Sequence, residues 1–287
     1  MNDLNWDFKQ LERAALREGS RNTRRDRSYA LRQIGDFLHA NFRGLRARNL
    51  KEKHVEAVVA GWLEKDLAPG TMANLMAHLR WAADKLGKSD IVKANAFYGI
   101  ARGSAVDNVD RSRPLDPEKL ALVRDRHVRM SLRLQDAFGL RREEAMKFQP
   151  RYADRGDRIV LKASWCKGGR TRWIPVLGDG QRRLLDEARR LAGGGSLIPA
   201  NRSYKRQKKV YEGETRRAGM RRMHGLRHGY ALRRYENLTG WKAPVAGGLS
   251  RSELQGEDKG TDEWARLKIS AELGHSRLQV VARYCGA

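Results

Sequence analysis

Sulfur is scarce in this chain, and no stretch of it is apolar enough to span a bilayer. The 287 residues include two cysteines, Cys166 and Cys285. Two are too few for a disulfide framework, and neither sits in the paired spacing of a zinc site. No hydrophobic run approaches the roughly 20 residues that a spanning helix requires. The opening Met1-Asn2-Asp3-Leu4-Asn5-Trp6 lacks the basic and apolar regions of a secretory signal. Internal repeats and low-complexity tracts are missing as well, and Gly193 to Gly195 reads as a loop. These absences exclude a disulfide-stapled secreted module and a membrane-spanning protein, and the expected location is the cytoplasm.

Acidic residues are also in short supply. Against 59 Lys+Arg stand 34 Asp+Glu, a net charge of 59 − 34 = +25. An imbalance of that size calls for a polyanionic partner. The bases are spread along the chain rather than gathered on one amphipathic helix or tail, which favours nucleic acid over an anionic membrane surface. With 40% hydrophobic residues there is material for real cores, and the length favours two domains.

Apolar periodicity predicts a helical first domain over residues 1–103. One stripe is Leu4, Phe8, Leu11 and Ala15, and a second is Leu31, Ile34, Phe37 and Leu38. A third runs Val55, Val58, Val59 and Trp62 and stops at Ala68-Pro69-Gly70. Thr71 is the expected cap of a fourth helix carrying Met72, Leu75, Leu79, Ala82 and Leu86. Four short amphipathic helices bury enough surface only by packing together as a bundle. The basic run Arg21 to Arg27 is expected on an outward face, in reach of phosphates. Residues 104–113, small and polar without apolar period, read as a linker. Asp116 and Pro117 then restart a helix as N-cap and first helical residue.

Residues 114–287 read as a mixed second domain. Arg158 to Lys162 and Thr171 to Val176 are expected strands of a hairpin around Gly168-Gly169, flanked by helices. The fold class is therefore mainly α with a small antiparallel β-sheet (α+β).

Phosphodiester transfer without a metal motif needs fixed cations to meet charge on the non-bridging oxygens, a nucleophile, and an acid for the leaving oxygen. Four short segments offer these groups. Arg141 follows Gly139-Leu140 and precedes Glu144 by three positions, so that carboxylate could hold it; an exposed i, i+3 pair is the plainer reading. In His224-Gly225-Leu226-Arg227-His228, His224 and Arg227 project from one helix face. A metal site at His224 and His228 is disfavoured, because no Glu lies between them in a zincin pattern and Arg221, Arg222 and Arg227 would repel a cation. Leu273-Gly274-His275 precedes Tyr284 by nine residues. Lys167 stands at the hairpin turn, where an ammonium could enter a groove and donate a proton, or simply touch a nucleic-acid backbone.

Each segment alone is weak evidence, but their order is specific. G-L-R-x-x-E, a hairpin Lys followed by R-x-I-P, H-G-L-R-H, L-G-H and then Tyr resembles the tyrosine recombinases, or phage-type integrases, across most of Leu115 to Tyr284. The resemblance implies an N-terminal core-binding domain over 1–103 and a catalytic domain over 114–287. It implies that Arg141 and Arg227 clamp the scissile phosphate, with Glu144 as the structural acid behind Arg141. Lys167 would be the general acid, His224 and His275 would hydrogen-bond the phosphate, and Tyr284 would form a 3′-phosphotyrosyl link. The implied activity is integration or excision of a mobile element, with no cofactor, ATP or metal. The implied partners are double-stranded DNA recombination sites, a homo-oligomer (tetramer) on DNA and DNA-bending accessory proteins, in a nucleoid-associated setting.

Two departures stand out. Arg227 and His275 are 48 positions apart, far more than the family usually needs, so 237–262 is expected as an inserted loop. Only Cys285-Gly286-Ala287 follow Tyr284, so the tyrosine is expected to be mobile until DNA and a partner subunit hold it. Three rivals remain: a type IB topoisomerase with the same residues, a catalytically silent DNA-binding accessory or regulatory protein, and a metal-dependent transposase that EDTA would inhibit.

Overall fold

The computed structural model describes residues 1–101, 108–275 and 278–287. The chain divides into two compact units, Met1–Ser104 and Ala105–Ala287. Of the expected linker, residues 104–107 lie outside the described residues. Among the described residues no helix is long and apolar enough to cross a membrane.

The first unit holds four α-helices among its described residues: α1 (Asp3–Ala14), α2 (Arg21–Asn41), α3 (Glu52–Glu64) and α4 (Pro69–Lys85). Asn2 and Ser20 cap α1 and α2 by accepting the backbone N–H groups of Asn5 and Thr23. The predicted stripes close on one core containing Leu4, Phe8, Leu31, Ile34, Val58 and Met76. Two details differ from expectation. Thr71 does not cap α4: Pro69 occupies its first turn, where a fixed φ suits a helix start and a missing N–H costs nothing. The basic run is not wholly outward either. Arg27 is buried, its guanidinium 3.8 Å over the Trp81 ring, because it falls in phase with Ala30, Leu31 and Ile34 on the inner face of α2.

The second unit begins with the residues expected as the end of the linker. Residues 108–113 instead lie against the domain: Arg113 N–H donates to the Gly225 carbonyl, and Asn108 Oδ1 accepts from Ala287 N–H. A Cβ on Gly225 would stand 2.4 Å from Arg113 Cγ, so glycine permits that approach. Helices α5 (Pro117–Ala121), α6 (Arg126–Phe138), α7 (Arg142–Lys147) and α8 (Pro150–Ala153) follow. Asp116 caps α5 as expected, accepting from Glu118 and Lys119.

Strands β1 (Arg158–Leu161) and β2 (Arg172–Pro175) pair antiparallel, with Ile159 opposite Ile174 and Leu161 opposite Arg172. Alternation sends Ile159, Leu161, Ile174 and also Arg172 inward, while Trp173 faces out. Helices α9 (Asp179–Ala192), α10 (Tyr204–Arg217), α11 (Gly225–Thr239), α12 (Gly256–Leu273) and the single turn α13 (Ala282–Cys285) complete the unit. The fold is thus mainly α with one small antiparallel sheet, as the pattern predicts.

The stretch 237–262 is only partly a loop. Helix α11 runs through Thr239, and α12 starts at Gly256 despite a glycine at position 260. Glu257 and Asp258 in its first turn complement the helix dipole. The helical phase buries Asp262, Ala265, Arg266, Ile269 and Leu273 on one side.

Two glycines stop the long helices beside one another. Gly139 (φ 60°) ends α6 and Gly274 (φ 67°) ends α12, both in the left-handed conformation. A Cβ at Gly139 would lie 2.5 Å from the Tyr230 ring. Gly139→Ala is expected to lower stability by about 1–3 kcal/mol through strain and overpacking. An unchanged urea midpoint would contradict this account of the α6 end.

Candidate active site

The site is built around one buried carboxylate. Glu144 is the third residue of α7 and reaches back to accept the Arg141 backbone N–H at 2.6 Å. The same carboxylate accepts Arg141 Nη1 at 2.9 Å and the forked Nη1 and Nη2 of Arg172 at 2.8 and 2.7 Å. Arg227 Nη1 stands 4.0 Å away. Burial by itself would raise the Glu144 pKa. The Arg172 hydrogen bonds, then the charges of Arg172, Arg227 and Arg141, overcome it and hold the group down at about 2. Arg141 is left partly exposed, with a direction fixed by Glu144.

Arg227, on the first turn of α11, is 1% exposed. Its Nη1 donates to the Gly139 carbonyl at 2.6 Å and its Nη2 to the Leu273 carbonyl. These are the ends of α6 and α12, where unpaired carbonyls concentrate partial negative charge. Arg172 Nε likewise donates to the Glu272 carbonyl at 2.8 Å. The glycines of G-L-R and L-G-H therefore aim helix ends at the two arginines. Burial, then the neighbouring Arg141 and Arg172, lower the Arg227 pKa to about 10, so it stays charged at neutral pH.

The remaining contacts of Arg227 reach the tyrosine and a histidine. Its Nε lies 3.3 Å from the Tyr284 hydroxyl, and Nη2 lies 3.4 Å from His275 Nε2. Three imidazoles surround the Tyr284 ring, with centroids at 4.5 Å for His228, 5.6 Å for His275 and 6.3 Å for His224. Burial, then Arg227 and Arg141, lowers the pKa of His224 and takes that of His275 to about 4. Burial, then His224, takes His228 to about 4. The cage therefore offers neutral rings, able to accept a hydrogen bond, at physiological pH.

Tyr284 itself is 6% exposed within α13. In the structure it packs in the main core and contacts Arg227, inside the cage of its own chain. Lys167 is exposed on the connection 162–171. A cleft of about 400 Å³ is lined by Lys167, Arg170, Arg172, Gly274 and His275, and it brings the hairpin loop to the edge of the cage.

Arg141, Arg227, His224, His275 and Tyr284 thus converge on one site, with Lys167 across the adjoining cleft. Two members escaped sequence reasoning. Arg172 is the main partner of Glu144, and its signal was available: it shares strand parity with the apolar Ile174, opposite in phase to Trp173. His228 was weighed only as a metal ligand, and nothing local marks it as a wall of the tyrosine cage.

Comparisons with known proteins place the family and the fold. Residues 1–92 match the family model described as "Phage integrase, N-terminal", and residues 112–233 match the one described as "Integrase". No curated protein matches the chain. Among solved structures, a lambda integrase tetramer bound to a Holliday junction is similar, with 14% identity, a TM-score of 0.59, and coverage of 96% of this chain and 75% of that chain. The XerH site-specific recombinase bound to palindromic difH substrate gives 16%, 0.59, 98% and 80%. The Tn1549 transposon integrase in complex with circular intermediate DNA gives 14%, 0.55, 96% and 94%. At these identities the likeness establishes the fold.

Removing the central carboxylate leaves buried guanidinium groups uncompensated. Glu144→Gln is expected to cost about 3–5 kcal/mol in unfolding free energy. Because the folded pKa is depressed, the wild-type contribution is fully present above the ordinary value of 4.5 and is lost as pH falls toward about 2. Denaturant titrations of both proteins across that window check this; parallel curves would refute it.

Proposed function

Because the chain belongs to the tyrosine recombinases, the phage-type integrase family, we propose that it cuts and rejoins DNA through a covalent bond to Tyr284. The observation that carries this reading is the Tyr284 hydroxyl lying 3.3 Å from Arg227 Nε inside a ring of three imidazoles. Arg141, and the edge of Arg227 that faces Tyr284 and His275, meet the non-bridging oxygens of the scissile phosphate. The arginines are positioned before DNA arrives, Arg141 by Glu144 and Arg227 by two helix ends, so little reorganisation accompanies charge development.

The Tyr284 oxygen attacks phosphorus as its proton passes to an imidazole of the cage, whose basicity the negative charge of the bound phosphate raises. The bond from phosphorus to the 5′-oxygen breaks, and Lys167 protonates the departing oxygen across the cleft. A 5′-hydroxyl then attacks the 3′-phosphotyrosyl ester, giving its proton to Lys167, and Tyr284 leaves as the imidazole returns its proton. One ester replaces another at each step, so no external energy source enters. The biological setting we propose is site-specific integration or excision of a mobile element by an oligomer, a tetramer on double-stranded recombination sites. DNA-bending accessory proteins and nucleoid association belong to the same reading. Support for the oligomer is the tetramer in which lambda integrase binds its junction.

Tyr284→Phe is expected to bind DNA like wild type and form no covalent adduct; an adduct from that variant on a denaturing gel would sink the assignment. The charge of +25 predicts a steep salt dependence, with about −0.9 added to the log–log slope of affinity per phosphate contacted. A slope shallower than about −2 would argue against backbone contact along the basic surface.

A further inference from the structure

Helix α13 is a single turn of four residues, and a lone turn cannot stabilise itself. The place of Tyr284 therefore depends on what grips the chain beside it. The residue two positions on, Gly286, is gripped from two sides. Arg266, 4% exposed on α12, donates Nη1 to the Gly286 carbonyl at 2.6 Å. Its Nε donates at 2.7 Å to Asp262 Oδ1, which also accepts the Tyr235 hydroxyl at 2.6 Å. On the other side, a Cβ at Gly286 would meet Pro244, Asn108 and Val245 at 2.9–3.0 Å. Ala287 N–H is held by Asn108 Oδ1 at 3.0 Å.

A buried ion pair is a poor device for stability alone, because desolvation offsets much of its attraction. Here the guanidinium is shared between a carboxylate and one main-chain carbonyl, which makes it a device for direction. Resting on the reading of Tyr284 as nucleophile, we propose that Asp262 and Arg266 are positioning residues that latch the backbone after Tyr284 and hold its hydroxyl in the arginine–histidine cage. Pro244, Val245 and Asp262 all lie in 237–262. The stretch between α11 and His275 thereby acquires a role, since it builds the wall and the anchor that seat the nucleophile in its own chain.

The test compares the full-length wild type with Arg266→Met, Arg266→Lys and Gly286→Ala. Gly286→Ala disturbs the latch from outside the buried pair and serves if Arg266→Met fails to fold. Hydrogen exchange should show the Cys285 and Gly286 amides, bonded to the Val281 and Ala282 carbonyls, losing protection by about tenfold or more in Arg266→Met and Gly286→Ala. Single-turnover adduct formation on a nicked duplex should fall by about tenfold or more, with affinity for the same duplex within about twofold of wild type. Arg266→Lys should recover part of both losses, having charge but no fork. Unchanged protection, or lost protection with an unchanged adduct rate, would overturn the latch. A wild type that binds the duplex without forming any adduct, while the variants still lose protection, would remove the nucleophile assignment and leave the latch standing.

Discussion

The second unit is organised by the pairing of Glu144 with Arg172. A carboxylate with no solvent exposure is tolerable only if its lone pairs are filled, and four N–H donors from Arg141 and Arg172 fill them. That requirement ties α7 to β2 and, through Arg172 Nε, to the end of α12. The hairpin cannot shift register without turning Arg172 out and stranding Glu144. A constraint of folding thus sets where Arg141 points and where the loop bearing Lys167 ends.

Arg227 extends the same logic with backbone rather than side-chain acceptors. It is buried more fully than any other arginine of the site, and its charge is met mainly by the carbonyl ends of α6 and α12. Helix ends are well suited to this, since their dipoles are fixed and they bring no titrating group. What remains of the fork faces Tyr284 and His275. On the proposed chemistry, the groups that stabilise the arginine in the fold and the groups it would serve in reaction lie on different edges of one planar cation. The state of the histidines depends on that cation too, because burial first, and then the positive charge of Arg227 beside it, keep His275 neutral.

Features set by local pattern were legible. Stripes at helical spacing gave the bundle, Asp116-Pro117 gave the start of α5, and the order of the four motifs gave the family. Features that depend on a partner distant in sequence were harder to read. Thr71 was a good cap by type, but Pro69 two residues earlier made a better start. Arg27 looked like one more exposed base until Trp81 supplied a ring to cover it. The glycine-rich look of 237–262 concealed the first two turns of α12, whose burial depends on contacts that no window of sequence contains.

By itself, then, the sequence determined the kinds of element, the demand for a polyanionic partner and the set of groups available for phosphoryl chemistry. Only the tertiary structure decided which arginines are buried and paired and which face solvent: Arg172 and Arg227 within, Arg170 and most of Arg21 to Arg25 without. It also decided that Tyr284 sits in its cage rather than at a loose end. The physical reason is that a guanidinium or a phenol is the same group wherever it stands in a chain. Its environment is set by desolvation and by the donors and acceptors that packing brings from positions up to 100 residues away, as for Arg172 and Glu272.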